Sequence, residues 1–408
     1  MTYDESTTSD DENISDDEST SEEEESIETK QARRDALLRR YQRGIGLLDH
    51  PNFLLLYVPD DGNKMRLVKP ASDSYHRERI IQMLDEDDNC LLPHYALSHL
   101  WGTSKVNRHL WEEVGDYVDD ENGDPAEPVS MRPEKRNALL TLLDNYPDSY
   151  WWIDVLCARS DTPLGIMGDI YACCYLCYAM VDCEPELITR IRSVMRRMPR
   201  GSFQTRHSRW TKDFLKEAHQ LVIDTFYQCS WWKRVWTWQE AVLPVEVLFI
   251  PETFTELSDN VILSIHELDD LTSDGWFAYE EMMNDYEWTM DERLSDEEGE
   301  LINVTIHSIS FQTSTSLVPY VDDSEGIDDI AEMGFGGSTT AEINWSRNHC
   351  HHHTPYRSTL GGYSSLFDAF AESPRQCMDP VDYVYGVLGI FQIDIPRKTD
   401  PNEYQKRL

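Results

Sequence analysis

The chain has no apolar run of transmembrane length, no basic start leading into an apolar stretch, and no glycine-rich phosphate loop. The first absence argues against a membrane-spanning helix and the second against a secretory leader. The third disfavours phosphate cradling of the P-loop type. Gly361-Gly362 and Gly334–Gly337 lack either the following Lys-Ser/Thr or a preceding strand. Basic residues are scarce, with 36 Lys and Arg against 76 Asp and Glu, a formal net charge of −40. A surface that negative repels phosphate backbones and anionic lipid headgroups, so neither nucleic acid nor a membrane is an expected partner. The nine cysteines are odd in number and sit largely inside apolar segments. That pattern fits a reducing, cytoplasmic setting better than a disulfide framework. No Ser/His/Asp constellation follows from spacing.

What the chain does have is a hydrophobic content of 40% over 408 residues, including 12 tryptophans, enough to bury a substantial core. Residues 1–29 hold thirteen Asp or Glu and no Lys or Arg, interleaved with Ser and Thr. Dense like charge with little hydrophobicity does not repay the entropy of folding, so a disordered acidic tail is expected there. Beyond it the chain still carries 63 acidic residues against 36 basic. Residues 30–92 read as a basic helix (30–46) followed by mixed structure with a short strand at Phe53–Val58. A core domain spans 93–255. Residues 256–408 read as acidic insertions (284–300 and 322–340) and a helical C-terminal extension, with structure resuming over Tyr363–Ile393.

Within the core, Tyr95–Leu100, Trp151–Cys157, Tyr175–Val181 and Val245–Ile250 read as strands. The near-continuous apolar run at 151–157 suits a parallel strand covered on both faces. Helices are expected from Pro133 to about Asn145, over Leu164–Cys173, 186–198 and 211–228, and over Trp231–Val242. Strands alternating with helices predict an α/β fold, a parallel sheet of four to five strands flanked by helices.

Three segments carry a resemblance: Tyr95-Ala-Leu-Ser-His-Leu-Trp101-Gly102, Tyr150-Trp-Trp-Ile-Asp154-Val-Leu-Cys157 and Arg234-Val-Trp236-Thr-Trp-Gln239-Glu240. In this order they resemble the signature of the fungal heterokaryon-incompatibility (HET) domain, a module of self/non-self recognition and cell death. Arg375-Gln-Cys-Met-Asp379-Pro380, leading through an apolar run to Gly389, resembles the segment that closes such proteins. HET domains resemble Toll/interleukin-receptor (TIR) domains, which implies a TIR/flavodoxin-like sheet. In NAD-cleaving TIR domains a glutamate four residues after an aromatic is catalytic, and Trp236 and Glu240 have that spacing.

The resemblance therefore implies Glu240 as a catalytic carboxylate, with Ser98, Trp101, Gly102, Asp154 and Trp236 lining the substrate site and NAD as substrate rather than cofactor. Nicotinamide leaves NAD as a neutral molecule. Such a site must therefore supply negative charge near an oxocarbenium-like ribose and orientation, without a general acid. Two departures stand out. About forty residues separate the third strand from the Glu240 segment, and after Cys157, Ser160 stands in place of the expected Gln while the Glu-Lys stretch is deleted.

Plainer readings sit beside these. On these, Glu240 pairs with Arg234 or Lys233. Asp154 reads as an acceptor for backbone N–H groups of the following loop, and Cys157 as a small buried hydrophobe. Cys173-Cys174-x-x-Cys177 with Cys183 reads as buried thiols, and His349-Cys350-His351-His352-His353 as a solvated loop, so no metal site is expected. The competing function is a non-catalytic signalling module working by homotypic assembly, with a homo-oligomer as its partner.

Overall fold

The computed structural model describes residues 27–275 except 89, 102–108, 160 and 199–209, together with 278, 343, 346 and 347. The acidic tail up to residue 26, Gly102, Ser160, the acidic insertions, the His349–His353 cluster, Tyr363–Ile393 and the Arg375–Gly389 segment lie outside the described residues.

In chain order the elements are α1 (Ile27–Leu48), β1 (Leu55–Val58), β2 (Met65–Val68), α2 (Ser74–Asp85) and β3 (Leu92–His99). The two-residue strands β4 (Leu110–Trp111), β5 (Val118–Asp119) and β6 (Val129–Ser130) follow, then α3 (Pro133–Asp144) and β7 (Ser149–Ile153). Next come α4 (Asp154–Cys157), α5 (Gly165–Cys173), β8 (Cys174–Val181), α6 (Pro185–Arg196) and α7 (Lys212–Val222). Last are α8 (Trp236–Val242), β9 (Val247–Pro251) and β10 (Leu263–Ser264). Local chemistry sets several starts. The Asp73 carboxylate accepts the His76 N–H at α2, the Thr211 hydroxyl accepts the Phe214 N–H at α7, and Pro133 opens α3.

Eight strands form one sheet in the order β10-β9-β8-β3-β7-β1-β2-β5. Its centre, β9-β8-β3-β7, is parallel throughout. Numbered by chain position, these four run 2-1-3-4 from β7, the doubly wound order of flavodoxin-like folds. The expected four-strand parallel unit is present, and the sheet is wider than four to five strands. The β1–β2 hairpin adds antiparallel strands beside β7, and β10 adds one beside β9. Pairings of two or three residues at these margins are too short to stand out against the apolar background of the sequence.

The core follows from the apolar runs. Tyr150, Trp151, Trp152 and Ile153 on β7 and Cys177 to Val181 on β8 are all buried, as strands covered on both faces must be. Helices α5 and α8 pack against each other and on β8, with α5 also on β3. Three local expectations fail. The strand at 151–157 stops at Ile153, and Asp154–Cys157 forms one helical turn.

The expected helix 231–242 is broken. Ser230–Lys233 is a 3-10 turn, Arg234 is extended (φ −90°, ψ 140°), and α8 starts at Trp236. The break is satisfied locally. The Asp182 carboxylate accepts the Ser230 and Trp231 N–H groups, and the Thr237 hydroxyl lies within hydrogen-bond reach of the carbonyls of Trp231 (2.6 Å) and Arg234 (2.8 Å). Likewise the helix expected to run to 228 ends at Val222, with a separate 3-10 turn at Phe226–Gln228.

Candidate functional site

In a 2-1-3-4 sheet the crossovers diverge between the first and third strands, here β3 and β8, and ligands sit beyond the carboxyl ends there. The carboxyl end of β3 is Ser98-His99, two residues that project to opposite faces of the sheet. Each side chain meets a carboxylate.

On one face, the Ser98 hydroxyl donates to Glu240 Oε2 and accepts the indole N–H of Trp231 at 2.9 Å. The Tyr171 hydroxyl is a second hydrogen-bond partner of Glu240. Glu240 lies on α8 and is 5% exposed. Burial raises its pKa from 4.5 to about 7, with the charge of Asp154 adding to the rise. The Arg234 guanidinium and the Ser98 hydroxyl pull the other way.

On the other face, His99 Nε2 is 2.9 Å from Asp154 Oδ1, and His99 Nδ1 is 3.0 Å from the Leu100 carbonyl oxygen. The Trp101 indole N–H donates to Asp154 Oδ2. Burial alone would raise the Asp154 pKa. The His99 ring, the Trp101 N–H and Arg234 together outweigh it and hold that carboxyl below its ordinary value. Asp154 also accepts the Val155 N–H at 2.7 Å, so it anchors the following turn as well as facing β3. Arg234 links the two halves. It acts on both carboxylates and donates Nη1 to the His99 carbonyl at 2.9 Å.

Behind this edge lies a buried ionic support. Lys135 on α3 is 1% exposed, donates Nζ to the Leu100 carbonyl at 2.6 Å, and stands 3.0 Å from Glu252 Oε2. Arg132 donates to the other Glu252 oxygen. Burial lowers the Lys135 pKa against the pull of Glu252. A lysine taken this far from water persists only when its charge is paired and bonded.

Ser98, Trp101, Asp154 and Glu240 thus converge on the end of β3. Trp236 opens α8 one turn before Glu240 and is partly buried against the core. Trp101 is 49% exposed, an indole tied at its N–H with much of its surface open. Cys157 is buried, and burial pushes its thiol up to about 12, an inert side chain. Cys173, Cys174, Cys177 and Cys183 are buried, and among the described residues no cluster of His, Cys, Asp and Glu fits a metal ion.

His99, Tyr171, Trp231, Lys135 and Glu252 were not anticipated at the site, whereas Arg234 was weighed as a partner of Glu240. His99 sits inside a quoted segment and could have been weighed there. Lys135 and Glu252 carry no such signal, since a lysine in the first turn of a helix ordinarily reads as solvated. Gln239 is a further surprise. It is 1% exposed and neither amide atom has a partner among the described residues, whereas a buried amide is normally satisfied.

No curated protein and no solved structure matches the chain. Residues 94–240, from β3 to Glu240 itself, match the family model described as Heterokaryon incompatibility protein (HET), which supports a heterokaryon incompatibility domain over that span.

Proposed function

We propose that this chain is a fungal heterokaryon-incompatibility effector of cell death whose TIR-like site cleaves NAD to nicotinamide and ADP-ribose, with Glu240 as the central carboxylate. The observation that carries this reading is the meeting of Glu240, Ser98, Asp154 and Trp101 at the carboxyl end of the central strand, from segments far apart in the chain. In the reaction the C1′–N bond breaks, its electrons neutralise the pyridinium, and water adds to the ribosyl cation with loss of a proton. Glu240 as an anion faces the cationic ribose and stabilises it. Ser98 and Tyr171 orient that carboxylate. The open indole of Trp101, fixed by Asp154, offers a face on which an aromatic base can stack. A carboxylate held in a dry site is worth far more than in water, and its loss typically costs on the order of 3 kcal/mol in the barrier.

A second reading rests on one specific fact, the 5% exposure of Glu240. A carboxylate engaged by Ser98 and shielded from solvent also suits a non-catalytic module that acts by homotypic assembly. Incubating the purified protein, dilute and crowded, with NAD and quantifying nicotinamide separates the two. Release by the wild type and none by Glu240→Ala supports the enzyme. Release that persists in Glu240→Ala removes this residue from the chemistry, and no release in any assembly state favours the assembly module.

A further inference from the structure

The carboxyl end of β8 runs directly into Asp182-Cys183, and the Asp182 carboxylate accepts the backbone N–H groups of Ser230 (3.0 Å) and Trp231 (2.9 Å). Those two bonds lay residues 182–183 alongside residues 229–231, which makes the Cys183 and Cys229 side chains neighbours. Both thiols are free. Cys183 is 9% exposed, and Cys229 is partly exposed at the edge of the core. Neither sulfur takes part in the carboxylate site. Yet Cys229 stands two residues before Trp231, whose indole holds Ser98.

We propose that Cys183 and Cys229 form a reversible intramolecular disulfide, a modification site that takes a peroxide as its oxidant. Disulfide formation requires Cβ atoms to approach within roughly 4 Å, and two thiols in contact across backbones pinned by a shared carboxylate are placed for it. The more accessible Cys229 reacts first. Its thiolate attacks a peroxide oxygen, the O–O bond breaks, and the departing hydroxide takes a proton to become water, leaving a sulfenic acid on Cys229. The Cys183 sulfur then attacks the Cys229 sulfur. The S–O bond breaks, and the hydroxide leaves with the Cys183 proton as a second water. The two thiols together lose two electrons and the peroxide gains them. The hydrogen bond with Cys229, burial and the neighbouring Asp182 all raise the Cys183 pKa, so this thiol keeps its proton until Cys229 is oxidised and yields it to the departing hydroxide as it attacks.

The bond would tie the turn that carries Trp231 and Arg234 to the end of the strand beside β3. Other described cysteines lack this arrangement of exposure and pairing. Cys157, Cys173, Cys174 and Cys177 are buried in the core.

The test titrates the full-length protein with hydrogen peroxide, blocks remaining thiols with an alkylating agent, and maps peptides without reduction. The expected product is a single cross-linked peptide pair joining Cys183 to Cys229, two hydrogens lighter than its components and released by dithiothreitol. Cys229→Ser and Cys183→Ser should each abolish it, while Cys90→Ser should leave it intact. Separate alkylation of Cys183 and Cys229 after peroxide treatment of the folded wild type would overturn the proposal, as would over-oxidation of Cys229 with no cross-link. Because the wild-type map decides the matter, a misfolded serine variant leaves the outcome clear. The result is independent of whether the protein releases nicotinamide.

Discussion

Replacing Glu240 by glutamine should stabilise the protein at alkaline pH and hardly at all in acid. Glu240 binds its proton more tightly in the folded protein than in the unfolded chain, with a pKa of about 7 against an ordinary 4.5. Between those values the native state holds a proton that the unfolded state has released, so stability falls as pH rises through the interval. At 1.36 kcal/mol per pH unit the accumulated loss is about 3 kcal/mol, complete above pH ~8 and absent below pH ~4. With Glu240 almost fully shielded, solvent screening takes little from that figure. Glutamine keeps the shape and still accepts from the Ser98 hydroxyl, but it never ionises. Urea unfolding followed by tryptophan fluorescence, at a series of pH values on both proteins, yields the difference directly. A variant advantage that grows from near zero at pH 4 to about 3 kcal/mol at pH 8 is expected. A difference that stays flat across that range would refute the assignment of a desolvated, proton-retaining carboxylate to this position.

Other outcomes follow from the same geometry. If Glu240 acts as an anion, nicotinamide release should climb with pH through about 7 and level off above it, and Glu240→Gln should lower it by roughly two to three orders of magnitude on that plateau, with the gap closing as pH falls below 7. Arg347 lies far along the chain from α8, yet its guanidinium donates to the carbonyls of Ala241, Pro244 and Val245 at 2.7 to 3.0 Å. Arg347→Ala should therefore cost about 3 kcal/mol in denaturant unfolding, and a loss under about 0.5 kcal/mol would show that this clamp is dispensable. The oxidised Cys183–Cys229 form should be more stable than the reduced form by up to about 4 kcal/mol, given the length of chain it closes, with native strain subtracting from that limit. Thermal unfolding before and after peroxide measures it.

The sequence was most informative where burial is continuous. Tyr150-Trp-Trp-Ile and Tyr178–Val181 announce themselves as parallel strands because both faces are covered. The 2-1-3-4 order then places the end of β3 where a ligand belongs. Glu240, Ser98, Trp101 and Asp154 were named from the resemblance; at the end of β3, Ser98 bonds Glu240 on one face and Trp101 bonds Asp154 on the other.

Legibility ended where a local pattern is overruled by a distant partner. The Trp231–Val242 stretch reads as one helix, but the Asp182 carboxylate and the Thr237 hydroxyl hold its break open. That break allows both Trp231 and Glu240 to reach Ser98. Lys135 reads as a surface lysine in a first helical turn, and only the approach of Glu252 from the end of β9 explains its burial. The marginal strands β5 and β10 are two residues long, too short for any period-two signal.

The most direct measurement is a crystal structure of the protein bound to a slowly cleaved NAD analogue. The account predicts the nicotinamide ribose against the Glu240 carboxylate and an aromatic base stacked on the Trp101 indole, beyond the carboxyl end of β3. An analogue bound elsewhere, or no binding while Glu240 remains closed under Ser98, would contradict it.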